Sequence, residues 1–314
     1  VSLRAPFPYF GGKSGAAAAV WARLGSPSHY IEPFAGSLAV LLARPGFKAG
    51  ARQWTETVND LDGLLCNFWR AVSFDADAVA EAADWPVNEL DLHARHAHLI
   101  ASRSEVTERL RTDPEWFDAR LAGWYAWGAG AWIGSGWGSR ASRQMPSISG
   151  GGGGIHAVAN ASRRARIDEL RERLSGVRVL CGDWRRAVTK SACVAWSAGD
   201  VGVFLDPPYG EGLMDYSAGG NATGSVAADV WAWACEAWSE RDAGRRPSVR
   251  ICVAGYEDGR KVPAGWVTVE WDKPGAGYAN FGTGGAKANA KRERLWFSPN
   301  CLNPDTQGDL FFCG

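Results

Sequence analysis

No uninterrupted apolar stretch of this chain reaches the ~20 residues that a membrane helix needs, and no charged-then-apolar leader opens it. The expectation is a cytoplasmic protein that meets no membrane. Cysteines at metal-ligand spacing are missing too. The seven present (Cys66, Cys181, Cys193, Cys235, Cys252, Cys301, Cys313) are odd in number and scattered, with no Cys-x-x-Cys among them. That argues against a zinc knuckle and a disulfide framework, and for a reducing compartment. Histidine is scarce at five residues; His93, His96 and His98 share one helical stretch, but their spacing does not put all three on one face, so no metal is expected. Excess charge of either sign is absent, with 34 basic and 34 acidic side chains. Nucleic-acid binders usually carry a basic excess, so binding of that kind would need the charge to be segregated along the chain.

Against these absences stand 46% hydrophobic residues, 39 glycines and 17 tryptophans in 314 residues. The apolar content is enough for a sizeable core, and the length suits one large domain with an insertion, or two. Short apolar runs alternate with helical patterns, and glycines or acids recur where the runs end. This pattern predicts an α/β sheet with helices on both faces, interrupted by a helical insert.

The most informative stretch is Val203-Phe204-Leu205-Asp206-Pro207-Pro208-Tyr209-Gly210. A strand stopped by two prolines must leave the sheet at its carboxyl end, because neither proline can donate to the ladder. In an open α/β sheet that rim is where ligands bind. Asp206 and the Pro207 carbonyl can accept hydrogen bonds from an amine, and Tyr209 can stack on a flat ring. A strand-ending turn with an exposed acid is the plainer reading of Asp-Pro-Pro alone.

Three further turns carry chemistry. Pro8-Tyr9-Phe10-Gly11-Gly12-Lys13-Ser14 precedes an Ala-rich helix; a P-loop would need glycine five positions before Gly12, where Phe7 stands, so nucleotide hydrolysis is set aside. A glycine turn entering a helix beside Lys13 still favours an anion, and equally serves as a cap. His29-Tyr30-Ile31-Glu32-Pro33-Phe34-Ala35-Gly36 reads as a strand and a glycine turn into an apolar helix, the usual cradle for the polar end of a cofactor, although many such turns bind nothing. Asp60 ends the next strand, about 20 residues beyond that turn, where an acid commonly bonds ribose hydroxyls. Asn59 or Asp60 could also cap the helix from Gly63 to Ser73. After a returning strand from Val177, Gly182-Asp183-Trp184 places an acid and an aromatic at a strand end, which a plain β-turn would also do.

Between these halves, residues 75–176 read as helices over 77–84, 89–110, 113–127 and 160–174. Trp116, Trp124 and Trp127 form a stripe expected in the core. The glycine-dense stretch from Gly128 to Gly138 reads as irregular. Arg140 and Arg143 continue it, and the last helix carries Arg163, Arg164, Arg166, Arg171 and Arg173 against three acids. Here the charge is segregated. Arginines on flexible loops and on a basic helix suit phosphate tracking, and a solvated helix face is the rival. Two later glycine-rich loops, one holding Tyr216 and one holding Lys287 and Lys291, are long enough to close over a base or to touch DNA. The tail from Thr306 to Phe312 fits an edge segment packed on the core, or a partner-binding peptide.

Asp206-Pro207-Pro208-Tyr209 resembles the catalytic motif of amino-methyltransferases of DNA, and the order of the remaining elements resembles the DNA adenine methylase branch. Tyr9, Gly12 and Lys13 match its opening aromatic-x-Gly-Gly-Lys segment, and Glu32, Pro33, Phe34 and Gly36 match its Glu-Pro-Phe-x-Gly-x-Gly, with Leu38 replacing the second glycine. The family-like elements span roughly two-thirds of the chain. The resemblance implies a Rossmann-like methyltransferase sheet split into residues 1–74 and 177–314 around a target-recognition insert at 75–176. It also implies S-adenosylmethionine as cofactor, held by Tyr9, Gly12, Lys13, Glu32, Pro33, Phe34, Gly36, Asp60 (ribose), Asp183 and Trp184 (adenine) and Asp206. DNA would be the substrate, contacted by Arg140, Arg143, Arg163, Arg164, Arg166, Lys287 and Lys291. Asp206, Pro207, Pro208 and Tyr209 would serve adenine N6 methylation on a flipped base, in a monomer or weak dimer that uses no metal. Cytosine N4 methylation, or a DNA-binding module of the same fold that has lost catalysis, are the alternatives. Roles in restriction, phage self-protection and regulation all remain open.

Overall fold

The structure is a computed structural model that describes residues 3, 5–9, 12–48, 54–132, 136–139, 161–194, 199–208, 223–242, 249–271 and 292–304, with the backbone alone described at 161–163, 194, 223–225 and 239–242. Seven strands form one mostly parallel sheet: β1 (His29–Glu32), β2 (Thr55–Asp60), β3 (Val177–Cys181), β4 (Val201–Leu205), β5 (Val249–Tyr256), β6 (Val267–Glu270) and β7 (Glu293–Phe297). Their order is β3-β2-β1-β4-β5-β7-β6. The first five run parallel, and β7 enters antiparallel to both β5 and β6. The chain moves outward from β1 through β2 to β3, then returns to place β4 on the other side of β1. That reversal opens a crevice beyond the carboxyl ends of β1 and β4.

Alternation along the strands sends side chains to two separate cores. Tyr30, Val58, Phe204, Cys252, Ala254, Leu295 and Phe297 face one core, whereas Ile31, Val201, Val203, Leu205, Ile251, Val253 and Trp296 face the other. Helices therefore cover both faces. On the first lie α1 (Ala17–Leu24), α2 (Ala39–Leu42), α3 (Gly63–Phe74), α4 (Ala76–Ala83), α5 (Glu89–Thr112), α6 (Ala119–Ala131) and α7 (Ala161–Leu174). The second face carries α8 (Lys190–Val194) and α9 (Thr223–Asp242). No helix among the described residues is long and apolar enough to cross a membrane.

Local chemistry explains the element ends. In α1, Ala17, Val20, Trp21 and Leu24 are buried, the spacing of one helical face. Aspartates or asparagine open α3, α4, α5 and α6: Asp62, Asp75, Asn88 and Asp118 each accept a hydrogen bond from a first-turn backbone N–H. Thus Asp62, rather than Asn59 or Asp60, caps α3. Helix α6 also runs on through Gly128 to Ala131, where sequence suggested irregular chain. A Cβ on Gly128 would lie 1.8 Å from the Trp137 indole, so this glycine serves close packing on a helix. As expected of the tryptophan stripe, Trp127 is fully buried, with Trp116 and Trp124 partly so. Helices α4 to α7 make up the described part of residues 75–176, and their apolar residues share one cluster with α3 and the sheet.

Arg173 departs from the exposed basic helix expected over 160–174. It turns inward, and its guanidinium makes a two-pronged contact with Glu56 (2.5 and 2.8 Å) while donating to Leu41 O at 3.1 Å. Arg44 Nη1 donates to the same carboxylate at 3.0 Å. Glu56 lies at the start of β2, so this buried triad clamps α7 to the edge of the sheet opposite the crevice. A buried charge that loses its partners is costly. Glu56→Ala, stranding two guanidinium groups, should lower unfolding free energy by about 3–5 kcal/mol in urea titrations; a loss under about 1 kcal/mol would contradict the clamp.

Candidate functional site at the carboxyl ends of the strands

The crevice edge is assembled from five chain segments. Lys13 is fixed by its own backbone, because its carbonyl accepts from Ala16 N and Ala17 N at 3.0 Å each as α1 begins. Its side chain is nearly inaccessible, and Nζ lies 3.0 Å from Asp206 Oδ2, with 3% and 18% of the two side chains exposed. Asp206 directly follows β4, with Pro207 buried and Pro208 partly so. The acid of the Asp-Pro-Pro run and the lysine of the Gly-Gly-Lys run, at opposite parts of the sequence, are thereby joined as an ion pair.

Glu32 ends β1 beside them and is turned into the protein. Its Oε2 accepts from the Tyr30 hydroxyl at 3.0 Å and from Leu41 N at 3.2 Å. Burial dominates over those two hydrogen bonds and, with the nearby charges of Asp206 and Glu56, pushes its carboxyl up to about 8. The Pro33 carbonyl accepts from Asn59 Nδ2 at 2.9 Å, and the same amide donates to Gly182 O at 3.0 Å. Asn59 thus ties the ends of β1, β2 and β3 together. Its Oδ1 has no hydrogen-bond partner among the described residues.

Gly36 takes positive φ (49°), and a Cβ there would lie 2.8 Å from the Tyr9 ring. Tyr9 therefore packs over this turn, and its carbonyl accepts from Gly12 N at 3.0 Å. Gly36 N donates to Asp60 Oδ2 at 2.9 Å, while Asp60 Oδ1 accepts from Asp62 N at 2.9 Å. Burial pushes the Asp60 carboxyl up to about 6 despite these bonds. Leu38, in place of a second glycine, adopts the left-handed conformation that glycine favours (φ 59°, ψ 24°). Its side chain is wholly buried in the hydrophobic cluster, so it packs inward instead of projecting from the turn.

Asp183 is exposed and accepts from Arg185 N at 2.8 Å, opening a 3-10 turn over Trp184–Arg186. Trp184 is buried between Phe34 (ring centroids 5.9 Å) and Trp233 (6.1 Å), and its indole N–H has no partner among the described residues. Sequence reasoning passed over Tyr256 at the end of β5. Burial and the charges of Glu293 and Asp206 push its phenol up to about 12. It also passed over Arg103 of α5, which donates to Asp62 Oδ1 at 2.5 Å and to Gly138 O at 2.6 Å. Asn59 adjoins the acid already singled out, but neither Arg103 nor Tyr256 stands in a local pattern that could have flagged it.

Not every expected residue gathers here. Arg164 pairs with Asp77 at 3.6 Å, both exposed, near the start of α4. That is beyond the far end of α3, about 18 Å along the helix from Asp62. Arg166 is exposed on the same helix. Tyr209, Arg140, Arg143, Lys287, Lys291, the side chain of Arg163, Tyr216 and the segment 306–312 lie outside the described residues. Among the described residues no group of three or more His, Cys, Asp or Glu could hold a metal ion. His96 instead accepts from Gly138 N at 3.0 Å and stacks on Trp132 and Trp137. No known protein-family model matches the chain, and no curated protein matches it significantly.

The perturbed Glu32 makes a stability prediction. A carboxyl that holds its proton more tightly when folded contributes stability that is complete below its unfolded value (about 4.5) and is lost as pH rises through about 8. Asp60 titrates below most of that window. Between about pH 6.5 and pH 9 the ligand-free protein should lose on the order of 2 kcal/mol of unfolding free energy. In Glu32→Gln, whose amide oxygen can still accept both hydrogen bonds, that slope should vanish. Equal pH slopes for the two proteins in urea titrations would show that Glu32 is ionised throughout.

Proposed function

We propose that this protein is an S-adenosylmethionine-dependent DNA methyltransferase that modifies adenine N6. The observation that carries the reading is the Lys13–Asp206 ion pair at the point where strand order reverses. It unites the motif that carries most of the adenine methylase resemblance with the Gly-Gly-Lys element of the same pattern, within a doubly wound 3-2-1-4-5 strand run that supports a Rossmann-like methyltransferase sheet.

The residues fit the methyl donor. Asp60 spends one acceptor site on each oxygen on a backbone N–H, and a carboxylate has about four such sites, so ribose hydroxyls can still be accepted. The unpartnered Asn59 Oδ1 is a further acceptor at the same strand ends. Glu32, turned inward onto Tyr30 and Leu41, would steady the turn that holds the donor, and Asp183 is an exposed acceptor next to Trp184. When bound, S-adenosylmethionine supplies an electrophilic methyl group on a cationic sulfur.

The chain's own task is to make an aromatic amine nucleophilic. The amine lone pair is delocalised into the ring, so the nitrogen is planar and unreactive. Asp206 and the Pro207 carbonyl, accepting its two hydrogens, favour a tetrahedral nitrogen and stabilise the positive charge that develops there. Lys13 holds the carboxylate at a fixed position beforehand, which avoids reorganisation during reaction. Tyr209 stacks on the flipped base. The same acceptors suit cytosine N4, and the motif order with the insert ahead of Asp206 favours adenine. The buried Leu38, keeping a glycine-like backbone, supports the catalytic reading over a module without catalysis.

The decisive experiment incubates DNA with labelled donor and identifies the modified base. N6-methyladenine is expected; N4-methylcytosine would transfer the reading to the cytosine enzymes, and donor binding without transfer would favour the binding module. Asp206→Ala should abolish transfer with DNA binding retained. Lys13→Ala should lower kcat by about 10²–10³-fold, the scale for loss of one preorganised charge contact. Full activity in either variant would remove that residue from the mechanism.

A further inference from the structure

Two of the cysteines are neighbours at the ends of β2 and β3. Cys66, in the second turn of α3, is buried, and its thiol lies 3.5 Å from both Asp60 O and Leu180 O. Cys181 is the last residue of β3, directly after Leu180, and is the β-ladder partner of Asp60. It is partly exposed. Cys66 Sγ thus reaches the carbonyl of the residue that precedes Cys181, so the two side chains adjoin; Cys66 and, after it, Arg111 draw the Cys181 thiol below its ordinary value, against burial, Asp60 and Asp62. Cys66 is pushed up by its Cys181 neighbour and by burial. An accessible, more acidic thiol beside a buried one is the arrangement of a peroxide-reactive cysteine with its resolving partner. The Cys252 and Cys301 neighbours differ: burial pushes both thiols up, that of Cys301 to about 11.

We propose that Cys181 and Cys66 form a modification site, a dithiol that hydroperoxides convert to a disulfide. The Cys181 thiolate attacks the O–O bond, forming an S–O bond and releasing water or an alcohol once the leaving oxygen is protonated. Cys66 then attacks the Cys181 sulfur, its proton leaving with the displaced hydroxide as water, and the S–S bond forms. Each sulfur gives up one electron, and the two electrons reduce the peroxide bond. Closure leaves Cys66 without a hydrogen to donate to the Asp60 and Leu180 carbonyls and pulls α3 towards β3. On the reading of Asp60 as a ribose ligand, oxidation weakens donor binding.

The test treats the full chain with hydrogen peroxide, alkylates the remaining thiols and maps the peptides by mass spectrometry. Cys66 and Cys181 should leave the alkylated pool together as one cross-linked peptide 2 Da lighter than the reduced pair, reversibly with dithiothreitol. In Cys66→Ser, dimedone should trap sulfenic acid at Cys181. In Cys181→Ser, Cys66 should stay reduced. Cys181 stopping at sulfinic acid in the unmodified chain, or Cys66 staying alkylatable as Cys252 does, overturns the proposal. Calorimetry with S-adenosylmethionine separates the two readings: a disulfide that forms without changing donor affinity leaves the dithiol standing and removes the ribose role of Asp60.

Discussion

An ammonium group enclosed in the protein requires a compensating negative charge, and here Asp206 supplies one at 3.0 Å from Lys13, whose side chain is 3% exposed. The placement of the crevice edge follows. Lys13 lies in the turn that leads into α1, which packs by Val20, Trp21 and Leu24 into the core beneath the sheet. Asp206 ends the central strand. The pair thus joins an outer helix to the middle of the sheet, and it does so where strand order reverses. Removing either charge would leave the other enclosed without this partner, so folding and the proposed chemistry draw on one contact.

Around that pair the strand ends are held by side-chain hydrogen bonds to neighbouring strands, turns and helix α2. Asn59 spans Pro33 and Gly182, Asp60 spans Gly36 and Asp62, and Glu32 reaches Tyr30 and Leu41. These polar groups are enclosed, and low local dielectric strengthens each satisfied bond while raising the cost of ionising the carboxyls. Glu32 and Asp60 are both displaced upward for that reason. Such displaced carboxyls concentrated in one crevice are a common mark of a functional site. At the opposite ends of the strands, the Glu56 carboxylate is instead paired with two guanidinium groups, those of Arg44 and Arg173.

The strands and their acids were largely legible in the sequence. Val201–Leu205 is a short apolar run closed by two prolines, and both features depend only on local chemistry. The spacing from Gly36 to Asp60 anticipated adjacent strand ends, and a direct hydrogen bond joins the two residues. Tertiary choices were not legible. Arg173 occupies a helix position chemically indistinguishable from that of exposed Arg171, and only the folded position of Glu56 draws it inward. Gly128 looked like a helix breaker because Trp137, which needs its missing side chain, is nine residues further on. Leucine gives no hint of positive φ, so the backbone at Leu38 could not be read from its identity. Arg103 carries no motif; its part depends on α5 lying across the first turn of α3.

That last contact extends beyond α3. Arg103 holds Asp62 with one nitrogen and the Gly138 carbonyl with the other, while His96 accepts from the Gly138 amide. Asp62 in turn donates its backbone N–H to Asp60. A displacement of the Trp137–Gly138 turn by even an ångström would therefore have to break a charged hydrogen bond or drag the cap of α3 with it. Mechanical load applied where the chain leaves this turn is delivered within three bonds to the acid facing the crevice, without passing through the hydrophobic core.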